Sequence, residues 1–386
     1  MPDAAIVGVG DVELESGFVR EGRTALEIQA IAAKRALEDA GLTKDDVDGL
    51  FVAGMWGVPG PGIMPTLALG EYLGIHPRYA DGTNIGGSSF EAHVGHALAA
   101  IRAGLCEVAL ITYGSTQKTD RSRSLGGRPP VFQQQFETPF GLPTPVGAYA
   151  MAATRHMHQY GTRPEDLAQI AVNTRRWAQL NPAATMRGPL TVDDVLASPM
   201  IAYPLHLLDC CLVTDGGGAV VVAAAHRARG LRHPPAWILG YGEAHDHANI
   251  LGMPDVTRPP SYESGRRAFA MAGLTPQEMD FAEIYDSFTI TVLLTVEALG
   301  LAPPGEGAAF FANGRTAPGG AFPVNTNGGG LSYAHPGMYG IFLLIEAARQ
   351  LWGVCGERQV PKNRLCVVNG TGGTLSSAAT VILGRD

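Results

Sequence analysis

The chain has 386 residues, 46% of them apolar and 17% charged, with a formal net charge of −8. That length and apolar share support a sizeable buried core, and the lack of any long run of one charge excludes nucleic acid or an anionic membrane as the main partner. Five cysteines without CxxC spacing argue against a disulfide framework or a zinc site within the chain and fit a reducing, cytoplasmic setting; MPDAAIVGVGDVE lacks an apolar signal core, and no stretch approaches the ~18 uninterrupted apolar residues of a membrane span.

In chain order, TALEIQAIAAKRALEDAG carries apolar residues at helical spacing and ends at Gly41, suited to a C-cap. The short apolar run GLFVAG follows. GGSSFEAHVGHALAAIRAG (86–104) is a glycine turn opening a helix, with the β-like CEVALITYGS after it. Residues 117–145 are rich in Pro, Gly and Gln without periodicity, the mark of a lid or binding surface. Helical patterns return in AYAMAATRHMHQYG and PEDLAQIAVNTRRWAQL, and DCCLVTDGGGAVVVAAA reads as a turn feeding a buried strand. SGRRAFAMAG predicts a second helix ending at Gly273, and FAEIYDSF a short apolar run. GGGLSYAHPGMYGIFLLIEAARQLWG (328–353) predicts a glycine-rich opening into an apolar helix; RLCVVNGTGG and SAATVILG are strand-like.

These elements repeat. AGLTKDDVD starts at Ala40 and AGLTPQEMD at Ala272, an offset of 232 residues, each behind an amphipathic segment and ahead of a short apolar run. Glycine-opened helices follow in both halves, so the chain reads as a duplicated α/β unit. Three glycine turns (86–89, 328–330 and 370–373) offer backbone N–H groups to an anion, an oxyanion or an enolate, although close packing also calls for glycine. None of them reads as GxGxxG with a following acid or as a P-loop.

NTNGGGLSYAHPG (325–337) resembles the NxNGG…GHP segment of thiolases, VVNGTGG their cysteine–glycine turn, and PLHLLDCCLVTDGGGAVVV their PL…DC…SDGAAAVVL region. EIYDSF sits where thiolases carry Asn-Glu-Ala-Phe and sterol-carrier-type thiolases carry His-Asp; AIVGVG and ALEDAGLTKDDVDGL match the N-terminus. The resemblance covers the whole chain and is closest to the sterol-carrier or lipid-transfer branch. It implies an α/β thiolase fold, a duplicated five-layered αβαβα arrangement of two mixed sheets and helices. The domains expected are residues 1–116 with 208–228, an insertion at 117–207, and 229–386.

The departures bear on chemistry. Gly86 stands at the position of the family's nucleophilic cysteine, Asn369 at that of the second cysteine, and Tyr285 at that of the Asn or His, whereas His335 is kept as a donor to the thioester oxygen. Without a thiol at position 86, acyl transfer through that residue is excluded. Ser88 and Ser89 read better as helix-capping residues than as nucleophiles, and Cys210 and Cys211 as small buried hydrophobes. Tyr285 reads equally as a core tyrosine or an acid–base group. Tyr339 and Tyr333 are second candidates for proton transfer, with helical packing the competing reading. Asp286 caps a helix or orients its neighbours. Gly86 and Thr371 are the expected backbone donors, and Asn369 and Ser88 supporting residues. His93 and His96 show no strong metal spacing, and Arg175, Arg176 and Arg187 fit CoA phosphates or a solvated face.

Retro-aldol cleavage of a 3-hydroxyacyl thioester needs a base for the hydroxyl proton and donors for the departing enolate, but no nucleophile. The expectation is therefore an aldolase-type lyase on acyl-CoA, with no covalent cofactor and no metal in this chain. The resemblance further implies steroid side-chain substrates, a small OB-fold, zinc-ribbon partner, and a homodimer. Two alternatives stay open: a non-catalytic scaffold or acyl-CoA-binding subunit, and acyl transfer through a partner's thiol.

Overall fold

A computed structural model describes residues 2–54, 64–120, 134–142 and 145–385. Nine strands form its main sheet. In chain order they are β1 (Ala4–Asp11), β2 (Gly49–Val52), β3 (Tyr79–Asp81), β4 (Val108–Ser115), β5 (Gly216–Ala224), β6 (Ala236–His245), β7 (Phe281–Ile284), β8 (Leu365–Gly372) and β9 (Ser377–Gly384). Most are buried along their whole length, which is why they read as continuous apolar or small-residue runs rather than as alternating ones. The principal helices are α1 (Ala25–Ala40), α2 (Pro65–Leu73), α3 (Ser89–Arg102), α4 (Val146–Tyr160), α5 (Pro164–Leu180), α6 (Ser261–Ala272), α7 (Thr289–Ala298) and α8 (Gly340–Trp352).

The strand order is β7-β8-β9-β6-β1-β5-β4-β2-β3. Two mixed half-sheets meet at the centre, where β1 and β6 pair only at Ala5 with Trp237 and Ile6 with Ala236. The parallel pairs lie at the outer ends, β3 with β2 and β2 with β4 in one half and β7 with β8 in the other, and antiparallel neighbours run inward from them. Helix α1 covers one face of β1, β5 and β4, and α6 one face of β6 and β9. Between the half-sheets lie α3 and α8, which pack on each other and touch strands of both. The layers are therefore helix, sheet, helix, sheet, helix.

The offset of 232 residues seen in the sequence is carried by the packing. β1 begins at Ala4 and β6 at Ala236; β2 begins at Gly49 and β7 at Phe281. A Cβ on Gly8 would stand 2.3 Å from the Ala36 carbonyl oxygen of α1, and one on Gly240 2.1 Å from that of Ala268 in α6. Gly10 and Gly242 meet Ala32 and Ser264 in the same way, at 2.7 and 2.3 Å. Each member of these pairs lies one offset from its counterpart, so one helix-on-strand joint is built twice. The turn after each helix is duplicated too: Thr43 N–H donates to the Asp46 carboxylate (2.9 Å) and Thr275 N–H to that of Glu278 (2.8 Å).

The elements predicted around the repeat are all present, with one difference. Gly328 does not open α8 directly. Residues Gly329–Tyr333 make a single π-helical turn, Ala334 is extended ahead of Pro336, Gly337 has φ +96°, and α8 starts only at Gly340. The extended backbone of Ala334 and the left-handed Gly337 on either side of His335-Pro336 cannot continue a helix, so His335 sits on a loop. Most of the expected lid, residues 121–133 and 143–144, lies outside the described residues. No described helix is long and apolar enough to cross a membrane.

Candidate active site

Four backbone segments converge between the half-sheets: the end of β7, the glycine turn before α3, the end of β8, and the loop from the π-turn to α8. Tyr285 directly follows β7 and donates its N–H to the Asn369 carbonyl of β8 (3.0 Å). Its ring packs against Gly87, where a Cβ would come within 2.3 Å of Cε2 and 2.6 Å of the Thr371 carbonyl oxygen. No residue but glycine fits there. The Tyr285 hydroxyl stands 3.1 Å from His335 Nε2 and accepts the Tyr339 N–H at 3.1 Å. A donor aimed at a phenolic oxygen favours negative charge on it, and the tyrosine and histidine share one proton position between them.

His335 is 1% exposed and held through its backbone: its N–H donates to Thr214 Oγ1 (3.0 Å) and its carbonyl accepts the Thr214 N–H (3.2 Å). The next carbonyl, of Pro336, takes the Tyr113 hydroxyl at 2.5 Å. Asp286 anchors the π-turn by accepting the N–H groups of Gly330 (2.6 Å) and Leu331 (3.1 Å). Burial pushes its carboxyl up to about 7 despite those two amides. Asp286 thus orients the loop, one of the two roles its sequence position suggested.

Several other expected site residues are placed differently. Tyr339 stacks on His335 (centroids 5.9 Å apart) and packs edge-on against the Tyr285 ring (6.0 Å), but its hydroxyl donates to Asn327 Oδ1 (2.9 Å); the hydrogen bond it gives Tyr285 comes from its backbone amide. The Tyr333 hydroxyl turns away to Asp11 Oδ2 (2.7 Å), itself ion-paired with Arg349 (2.7 Å). Burial raises both phenols well above the ordinary tyrosine value, which makes each a poor base. The Asn369 side chain faces the opposite side of β8, bonded to Ser261 (3.2 Å) and Thr380 (2.7 Å), and contributes only its carbonyl. Ser88 is pinned to Ser377 (2.9 Å) and the Ile85 carbonyl (3.3 Å), with no base beside its hydroxyl.

Gly86, at φ +78°, directs a would-be Cβ to within 2.5 Å of Gly373 N, and its own N–H is taken by Asn84 Oδ1 (3.1 Å). A side chain there would be strained, and the amide is committed, so Gly86 is not the free donor expected of it. Thr371 fits better. Because Asn369 points its carbonyl at Tyr285, strand alternation directs the Thr371 backbone to the same edge. Arg175 is buried on Ser332 Oγ (2.8 Å), whereas Arg176 and Arg187 are exposed. Cys210 and Cys211 are half-buried, not buried; Cys210 Sγ contacts the His206 carbonyl (3.3 Å) and burial raises its thiol, while the Cys211 N–H donates to the Ser287 carbonyl (2.9 Å). Sequence reasoning passed over Asn327, Thr214 and Tyr113. Asn327 lies inside the NTNGG motif, the one signal that singled it out; the other two become visible only when their segments meet His335.

A duplicated five-layered α/β chain, with its chemistry gathered on the loops that meet around two central helices, defines a thiolase fold. The family model for the thiolase C-terminal domain-like region matches residues 242–385. The steroid side-chain-cleaving aldolase of Thermomonospora curvata is 34% identical over 401 residues, covering 99% of this chain and 98% of that one. The acetyl-CoA acetyltransferase of Methanothermobacter thermautotrophicus is 32% identical over 393 residues and 100% of both chains. The solved structure of an Ltp2-ChsH2(DUF35) aldolase superposes with a TM-score of 0.88 at 32% identity, over 100% of this chain and 98% of that one. The chain belongs to the thiolase superfamily, in its sterol-carrier-type, thiolase-like branch.

Proposed function

We propose that this protein is a thiolase-like carbon–carbon lyase that cleaves a 3-hydroxyacyl-CoA by a retro-aldol reaction. The observation that carries the reading is the Tyr285 hydroxyl, held between His335 Nε2 and the Tyr339 amide, in a fold whose nucleophile position is a glycine. Tyr285 takes the proton of the β-hydroxyl. The carbonyl forms at Cβ as the Cα–Cβ bond breaks, and its electron pair passes to the thioester as an enolate. His335 and the Thr371 backbone amide hold the enolate oxygen, and the proton returns to Cα. The products are a ketone and a shorter acyl-CoA. Neither metal nor covalent cofactor enters this scheme.

The name of the Thermomonospora curvata relative favours a steroid side chain as the acyl group, and the aldolase structure pairs an Ltp2 chain with a DUF35 protein. That DUF35 protein supports the OB-fold, zinc-ribbon partner that the resemblance implies; a homodimer and a cytoplasmic setting enter the proposal from the sequence alone. The test is incubation with a 3-hydroxyacyl-CoA bearing a tertiary alcohol, alone and with such a partner. Ketone and shortened acyl-CoA are expected; their absence in both arms, with intact substrate binding, favours a scaffold.

A second reading, acyl transfer through a thiol, is favoured by the acetyltransferase relative and by Cys211, whose backbone bonds to Ser287 two residues beyond Tyr285. Cys211→Ala separates the two: a lyase keeps its turnover, whereas an acyltransferase using that thiol loses it.

A further inference from the structure

Glu91 stands in the first turn of α3, three residues behind Ser88, and no part of it is exposed. Neither carboxyl oxygen has a hydrogen-bond partner among the described residues. Its surroundings are made of missing side chains. A Cβ on Gly370 of β8 would lie 2.1 Å from Oε2, and one on Gly340 of α8 2.4 Å from the same oxygen and 2.3 Å from the Gly87 carbonyl. These glycines adjoin groups of the site. Gly340 follows Tyr339, whose amide binds the Tyr285 hydroxyl; Gly370 precedes Thr371; and Gly87 carries the Tyr285 ring.

We propose that Glu91 is a positioning residue for the reaction at Tyr285: wedged as an uncharged acid among Gly87, Gly340 and Gly370, it sets the spacing of the three backbone segments that hold the tyrosine. The proposal rests on the lyase reading above. Burial pushes the carboxyl up to about 8, against the pull of the positive helix end it occupies. The titratable and charged groups on the elements around it are His93, His96 and Arg102 of α3, Tyr339, Glu346 and Arg349 at α8, Cys366 of β8, Glu283, Tyr285 and Asp286 in and after β7, Tyr113 of β4, and Tyr241, Glu243 and His245 of β6. None of them contributes to the shift: burial raises the carboxyl, and only Glu91's own backbone N–H pulls the other way. Ionisation places an unpaired charge behind the site and forces the segments apart or draws water in.

The full-length protein, with the partner protein wherever turnover requires it, is compared with Glu91→Gln and Glu91→Leu by kcat and KM from pH 6 to 9.5, and by Tm over the same range without substrate. In the wild type kcat falls roughly tenfold between pH 7 and 9 on one ionisation near 8. Glu91→Gln, neutral at every pH and similar in shape, loses that limb and recovers most of the kcat that Glu91→Leu forfeits, with KM little changed. The Tm gain of Glu91→Gln over wild type grows up to pH 8 and levels beyond it, because only the unfolded chain ionises below that point. An unchanged alkaline limb in Glu91→Gln, or wild-type kcat in Glu91→Leu, overturns the proposal. Absence of turnover in the wild type sinks the lyase reading instead, and a Tm difference independent of pH then sinks the assignment of Glu91 as well.

Discussion

Tyr285 is held by its amide, its ring and its hydroxyl at once, and a proton-transferring side chain gains from each constraint. Tyr285→Phe removes only the oxygen; it should leave the Tm within about 1 °C and lower kcat by about 10²-fold or more in the product assay. Asp286→Ala strands the buried amides of Gly330 and Leu331 and should cost about 1–3 kcal/mol in denaturant unfolding, with Asp286→Asn intermediate because it keeps an acceptor. The Asp286 carboxyl, raised to about 7, also makes the wild type lose ground to Asp286→Asn as pH rises from 4 to 7, since the unfolded chain ionises first. Tyr285 and His335 were both legible from their motifs. The hydroxyls of Tyr333 and Tyr339 were not, because they lie in the same stretch as His335 and only the positions of Asp11 and Asn327 decide where they point.

At the level of elements, the duplicated joint between strand and helix can be tested on both copies. Gly8→Ala and Gly240→Ala each drive a methyl into a helix carbonyl and should destabilise by about 1–3 kcal/mol. Equal penalties support equivalent joints; a neutral result at either site contradicts the close approach. The edge strand β3 is tied in by charge. His96 Nδ1 is 2.7 Å from Asp81 Oδ2 and its Nε2 is 3.4 Å from Glu243 Oε2 of β6. The Asp81 hydrogen bond first, then that of Glu243, lifts the imidazole up to about 9. A raised histidine contributes fully below its ordinary value of 6.5 and fades as pH passes 9. His96→Gln should therefore cost on the order of 2 kcal/mol at pH 6 and much less at pH 10, read from Tm. Helix and strand positions were readable because caps and apolar runs are local. The break between the π-turn and α8 was misread, since GGGLSY carries the glycines and spacing of a helix start and only Pro336 hints otherwise.

Over the whole molecule, the thiolase fold supplies two central helices whose starts face each other, and the segments that carry Tyr285, His335, Gly87 and Thr371 meet there. The duplication was visible in the match of AGLTKDDVD with AGLTPQEMD, whereas the five-layer arrangement came only with the resemblance to thiolases. What a sequence cannot convey is which backbone amides are spent, as Gly86 N–H is on Asn84, and which face inward, as strand alternation directs that of Thr371. Amide donors serve either of two chemistries, attack by a thiol or release of an enolate, and the glycine at position 86 favours the second. Intact-protein and product mass spectrometry of a single turnover in D2O tests that choice most directly. The account predicts an unmodified protein mass throughout, ketone and shortened acyl-CoA in equal amounts, and one solvent deuterium at Cα of the released acyl group. An acyl adduct on the protein, or acyl transfer to added CoA without ketone, would contradict it.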